Sequence, residues 1–261
     1  MSHRHRVRYT KLDRVRFVSA RDLTAVWERA LRRANLPIAY SEGFRPHAKV
    51  SFPDALSVGL ESTGEYAELT FSERIDADSA FMALSATLPD GMDITTHLEV
   101  PDNASKLARL LPATLWRATW TDPAVDRSAL FDLLDQRTRD LLAATTSEVV
   151  KHKPSGDKVI DVRAAVLDLV AAFPASPDVH SVDATGAPRI ILSAVIRNDG
   201  PTVRPLDLLQ AMRAADGGAS LLPDPHRVTR VAQGERVDGG LREALTGEVV
   251  ALAPGRLAGA A

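Results

Sequence analysis

The stretch SARDLTAVWERALRRANLP, residues 19–37, constrains the fold most, because it reads as one helix with both ends marked and one apolar face. The Ser19 hydroxyl can accept a hydrogen bond from the amide of Asp22, and the Asp22 carboxylate can answer back. Leu23, Val26, Trp27, Ala30, Leu31 and Ala34 recur at helical spacing and face a core. Asn35 and Pro37 close the helix. Arg29, Arg32 and Arg33 fall outside the apolar stripe, and the last two suit the helix C-terminus electrostatically.

The flanks of this helix are strand-like. Residues 3–18 alternate through Val7, Tyr9, Leu12, Val15 and Phe17, which predicts paired strands or one bent strand. Short extended segments at 37–40 and 49–52 precede an alternating strand at 65–71, a helix at 76–88 and a strand at 92–100. Strand, helix, strand, strand, helix, strand is the order of a ferredoxin-like sandwich. The polar interval 101–108 marks a boundary. The order then recurs: strand 114–121, helix 127–144, an extended segment 147–152, and 158–162 completing a hairpin across Pro154, Ser155, Gly156 and Asp157. Residues 163–173 read as a short helix or a packed loop, 189–197 as a strand, 205–215 as a helix with Pro205 in its first turn, and 227–232 as the last strand. The expectation is an α+β protein of two ferredoxin-like domains, 1–102 and 109–232, with mainly antiparallel sheets. Residues 233–261, rich in glycine and alanine, read as a mobile tail.

At 261 residues and 45% apolar content the chain can bury the cores of two modest domains. It contains no cysteine, which excludes disulfides, thiolate nucleophiles, cysteine-ligated zinc and iron-sulfur clusters. A P-loop and a Gly-x-Gly-x-x-Gly element are both absent, so ATP hydrolysis and dinucleotide redox chemistry are poor fits. His3 and His5 lack a third ligand at metal spacing, and His47, Glu61 and Glu65 lack a diagnostic one. No metal and no cofactor are expected. No apolar run approaches bilayer length, and MSHRHRVRY runs straight into strand-like alternation, so a cytoplasmic protein without membrane contact is expected.

Charge is unevenly placed. Residues 1–54 hold 12 Lys/Arg against 5 Asp/Glu, a net of +7, whereas residues 55–261 hold 20 against 29, a net of −9. Such separation can steer a polyanion to one face. Within residues 40–66, Arg45 can make a two-pronged phosphate contact, Lys49 a mobile one, and Gly43 a close backbone approach. Phe44 can stack on a base, whereas Phe52 and Phe71 sit in extended core patterns. Arg29, Arg32 and Arg33 enlarge this surface if the helix turns them toward the loop. Lys151, Lys153 and Lys158, around the second-domain hairpin, either extend an RNA track or keep a sheet edge soluble. His47 can act as a general acid or base on a ribose hydroxyl, with Tyr40 or Ser41 orienting the substrate; contact without catalysis and a structural hydrogen bond are its other readings. Glu61 and Glu65, four apart near a glycine turn, do not form a catalytic carboxylate pair, and arginine pairing or turn stabilisation accounts for them.

One family is matched by the joint pattern KLDRVRFVS (11–19), ERALRRA (28–34), LPIAYSEGFRPH (36–47), KVSF (49–52), LSVGLES (56–62) and GEY (64–66). Ser19, Asp22, Tyr40, Ser41, Gly43, Phe44, Pro46, His47, Gly59, Glu61, Ser62 and Glu65 all lie within it. The sequence resembles the bacterial domain of unknown function linked to radical S-adenosylmethionine (radical SAM) enzymes, well over residues 3–100 and more weakly through VVKHK (149–153), DVR (161–163) and GPTVRP (200–205). The resemblance implies occurrence beside or fused to such enzymes, in an RNA or ribosome-related setting. The family has Ser-His-Leu-Asp where this chain has Ser19-Ala20-Arg21-Asp22, and Gly-Phe-Asn-Pro-His-Pro where it has Gly43-Phe44-Arg45-Pro46-His47-Ala48. His47 is left as the one histidine in the strongest motif.

Without cysteines the chain cannot hold a radical SAM cluster itself, so such a partner would act in trans. Three functions follow as expectations. The first is an adaptor that positions structured or ribosome-associated RNA for a separate radical SAM enzyme. The second is a metal-independent endonuclease using His47, and the third a protein-assembly module without RNA.

Overall fold

The computed structural model describes residues 3–54, 56–101, 103–122, 124–152, 156–173, 189–214 and 222–253. The chain divides into two compact units: one reaching to Leu111 and including Glu243–Gly247, the other formed by Pro112–Arg242 and the residues from Glu248 on. The α+β class with mainly antiparallel strands is as expected.

The first unit runs β1 (His3–Lys11), α1 (Ala20–Arg33), β2 (Val50–Ser51), β3 (Glu61–Phe71), α2 (Ala77–Ser85) and β4 (Ile94–Val100). β1 pairs antiparallel with both β3 and β4, and β2 lies antiparallel along the far side of β3. The order β4-β1-β3-β2 follows from helical crossovers that return each strand beside its second neighbour. Side chains alternate along β1, so Val7 and Tyr9 face α1 and α2 in a core with Trp27, Leu31, Phe71 and Phe81. Trp27 is fully buried, with Tyr9 edge-on at 5.0 Å and Phe52 at 5.8 Å. Truncating such a side chain to alanine costs about 3–5 kcal/mol.

The cap of α1 forms with one difference. Ser19 Oγ accepts from the Asp22 amide at 3.2 Å, but the Asp22 carboxylate accepts from the Ser19 hydroxyl, at 2.7 Å, rather than from its backbone. The helix ends where Asn35 takes a left-handed φ of 51°. The strand expected across residues 3–18 stops at Lys11; Asp13–Phe17 is a 3₁₀ turn, entered through Asp13 at φ 51°. Apolar alternation through Val15 and Phe17 had mimicked a strand, yet Val15 is buried and Phe17 is 60% exposed.

The second unit continues with β5 (Ala113–Trp120), α3 (Arg127–Ala143), β6 (Glu148–Lys151), β7 (Lys158–Asp161), β8 (Val166–Ala172), β9 (Ile190–Arg197), α4 (Pro205–Ala214), β10 (Arg227–Val237), β11 (Gly240–Glu243) and β12 (Val249–Ala251). β5 lies between β10 and β9, and β8 pairs with β9, all antiparallel. The order β10-β5-β9-β8 therefore repeats the connectivity of the first unit, with the β6–β7 hairpin inserted as a separate two-stranded sheet.

Two expectations need correction here. Residues 166–172 form a strand, not a helix or loop; a register shift between Val166 and Asp168 breaks the alternation that would have revealed it. Residues 233–253 are not a loose tail: β10 runs on to Val237, and β11 pairs with β12. Gly240 marks a close approach, since a Cβ there would lie 2.2 Å from the Val250 carbonyl oxygen. The glycines that suggested mobility include one that admits a neighbouring strand.

Candidate nucleic-acid interface

In the first unit, residues 40–48 form a closed loop. Tyr40 bridges Ala48, the Ser41 amide donates to the His47 carbonyl at 2.9 Å, and the His47 amide donates to Ser41 Oγ at 3.0 Å. Ser41 is thus the loop's clasp, and Glu42, Gly43, Phe44, Arg45, Pro46 and His47 are all exposed. Gly43 has a φ of 118° and open space where a Cβ would stand, so backbone conformation alone calls for glycine. Next to it, Phe44 is entirely in solvent. Lys49 is exposed while its backbone ties the loop's base to Ala39 and Thr70.

The loop approaches α1 at Glu28, whose Oε1 is 4.0 Å from His47 Nδ1. That separation is beyond a hydrogen bond. The His47 ring is 72% exposed. Arg32 stands one turn beyond Glu28 on the same helix side, its Nε donating to the Glu28 carbonyl at 3.3 Å. Arg29 and Arg33 are exposed on α1. Arg29, Arg33, Arg45 and Lys49 side chains make no hydrogen bond or ion pair among the described residues.

Of the remaining motif residues, Glu61, Ser62 and Glu65 are buried, Ser19 is half-buried, and Asp22 and Gly59 are exposed. Glu61 and Glu65 belong to β3, which begins four residues earlier than expected, and both are buried. Glu61 Oε1 lies 2.9 Å from Arg16 Nη1, the arginine pairing anticipated for it. Arg16 also lies 4.7 Å over the exposed Phe17 ring. Lys11 is buried with its ammonium donating to the Val18 carbonyl at 2.8 Å, beside the cap of α1. Fully buried Ser62 accepts from the Gly64 amide, and the Gly59 amide donates to the Arg16 carbonyl. Ser19 and Asp22 thus cap α1, while Gly59, Glu61 and Ser62 make contacts within the unit.

Part of the N-terminal basicity is structural too. Arg4 and Arg6 both bind Glu68, at 2.8 Å each, and Arg6 also donates to the Ser105 carbonyl, while Arg8 Nε donates to the Thr63 carbonyl at 3.1 Å. Their spacing of two was the available signal for one strand face. His5 is buried between Phe71 and Phe81, each at 5.5 Å, and its Nδ1 has no hydrogen-bond partner among the described residues. Burial lowers its pKa, as do His97 and His3, against an upward pull from Glu99. No group of three or more His, Asp and Glu side chains among the described residues is arranged to hold a metal.

In the second unit, Lys151 is committed: its ammonium is 2.7 Å from Asp207 Oδ2 and donates to the Thr202 carbonyl at 2.7 Å. Lys158 is exposed, and Lys153 lies outside the described residues. No helix among the described residues is long and apolar enough to cross a membrane.

These features define a two-unit α+β protein whose first unit displays uncommitted cations and an aromatic tip beside a buried polar scaffold. The chain belongs to a bacterial family: residues 4–205 match the model of the uncharacterized proteins conserved in bacteria, DUF2344. No curated protein matches it.

Proposed function

We propose that the protein is an RNA-associated adaptor that positions a structured RNA for a separate radical SAM modification enzyme. The observation that carries the RNA part is the set of Arg29, Arg33, Arg45 and Lys49, uncommitted among the described residues, together with fully exposed Phe44 on the Gly43 loop. Free guanidinium and ammonium groups suit phosphates, and an aromatic ring on a loop suits an unstacked base. Sequence resemblance supports the partner, and the absence of cysteine requires it to act in trans. The loose contact between exposed His47 and Glu28 gives the endonuclease reading little support, so His47 is better suited to touching RNA than to cutting it.

Binding of a structured RNA is measured across about 50–200 mM salt for the unaltered protein and Arg45→Ala/Lys49→Ala. Weaker binding and a salt slope shallower by about 1.5 in the variant are expected. Equal affinity and slope would sink the phosphate surface. RNA cleavage lost in a folded His47→Ala variant would replace the adaptor with a nuclease. Identification of the protein and RNA recovered with the chain from cells tests the partner.

A further inference from the structure

The β6–β7 hairpin and the start of α4, both in the second unit, enclose a groove of about 620 Å³ that the RNA proposal does not use. Register places Val149 opposite Ile160 and Lys151 opposite Lys158, and residues two apart on a strand share a face. Two lysines directly opposite one another repel. The fold answers one of them: Asp207 binds Lys151 and also accepts the Arg204 amide at 2.6 Å, capping α4 while holding the hairpin. Among the described residues Lys158 has no such carboxylate, and the Arg204 guanidinium makes no hydrogen bond or ion pair. Both line the groove, with Asp207 the one acidic residue of its described lining. Leu206, 57% exposed, and the buried Ile160 also line the groove. The described lining contains no Phe, Tyr or Trp.

We propose that this groove docks an acidic, aliphatic segment of a partner protein. Carboxylates on that segment meet Lys158 and Arg204, completing the neutralisation that Asp207 begins, while aliphatic side chains cover the exposed Leu206. An RNA strand fits less well, because the lining offers no aromatic platform for a base and its aliphatic floor has no counterpart on a phosphate backbone. The volume falls in the ordinary range of ligand-binding clefts.

The test selects short random peptides displayed on phage against the full chain. Enriched sequences are resynthesised with a fluorophore, and their anisotropy is followed with unaltered protein, Lys158→Glu/Arg204→Glu and Arg45→Ala/Lys49→Ala. Peptides mixing Asp or Glu with Leu, Ile or Val are expected, binding about tenfold more weakly to the charge-reversed protein and equally well to the loop variant. Lys158 and Arg204 are exposed, so both variants should keep the unaltered melting temperature, and Lys158→Gln/Arg204→Gln gives an intermediate loss. Selection of basic or neutral peptides, absence of enrichment over an unrelated protein, or indifference to charge reversal overturns the proposal. It is also overturned if reversal abolishes binding of a labelled single-stranded RNA and leaves the peptides bound. Loss of RNA binding in the loop variant alone bears only on the first unit.

Discussion

The cations of β1 and those of α1 and the 41–49 segment come from one basic stretch, yet they have opposite fates. Arg4 and Arg6 converge on Glu68, Arg8 holds a carbonyl, and Lys11 is buried against the cap of α1. Arg29, Arg33, Arg45 and Lys49 hold nothing among the described residues. A net charge of +7 therefore overstates what is available to a polyanion. Burial and partnership, more than charge count, separate cations that build the unit from cations that can bind something else.

The sharpest test of that division is Glu68→Ala, which removes the carboxylate shared by Arg4 and Arg6, Arg6 being almost fully buried. A loss of about 3–5 kcal/mol in denaturant unfolding is expected, and a loss under ~1 kcal/mol would break the comparison. Glu243→Gln comes next. Its carboxylate accepts from the Tyr66 hydroxyl at 2.5 Å, from the Leu245 and Thr246 amides and from Thr246 Oγ1, so about 1.5–3 kcal/mol should be lost. Burial pushes this carboxyl up, but the hydrogen bonds outweigh it and hold its pKa below the ordinary value. Its contribution is therefore present above the unfolded carboxyl's titration and fades as pH falls through the lower folded value; chemical melts of the two proteins should converge in acid.

On the uncommitted side, Phe44→Ala should leave the melting temperature unchanged while weakening RNA binding by about 1–3 kcal/mol, read by anisotropy. A folded-state loss instead would return Phe44 to the core. His5 gives a smaller, pH-resolved effect. Its pKa is lowered by burial, with His3, His97 and Glu99 facing it, so native stability is fully present above about pH 6.5 and declines as pH falls through the lowered folded value. His5→Phe, placed between Phe71 and Phe81, should flatten that decline in thermal melts between about pH 7 and 5. Last, Arg45→Ala/Lys49→Ala should change unfolding free energy by no more than about 0.5 kcal/mol.

Elements whose signals are local were legible in sequence. The capped amphipathic α1, the hairpin at Lys158, and the helix opening at Pro205 lie within a residue or two of expectation. In the first-unit loop Ser41, read as a residue that orients a substrate, instead holds the His47 amide and closes the loop. Features set by distant partners were hidden. β8 lost its alternation to a register shift, and β11 and β12 exist only through pairing. Arginine pairing was one of the readings of Glu61, but the partner, Arg16, lies 45 residues away and could not be named. The groove beside Lys158 depends on Asp207 and Arg204, whose proximity no local spacing encodes.

The Glu243–Gly247 segment carries a practical consequence for anyone dissecting the molecule. Because Tyr66, Leu107 and Leu111 pack with Ala244 and Leu245, the first unit is discontinuous in the gene. A fragment cut after Leu111 would lack the plug over these three side chains and the carboxylate that satisfies the Tyr66 hydroxyl. Its poor solubility would then reflect a missing part rather than an inability to fold. Grafting residues 243–247 onto such a fragment through a short linker is the repair this arrangement suggests.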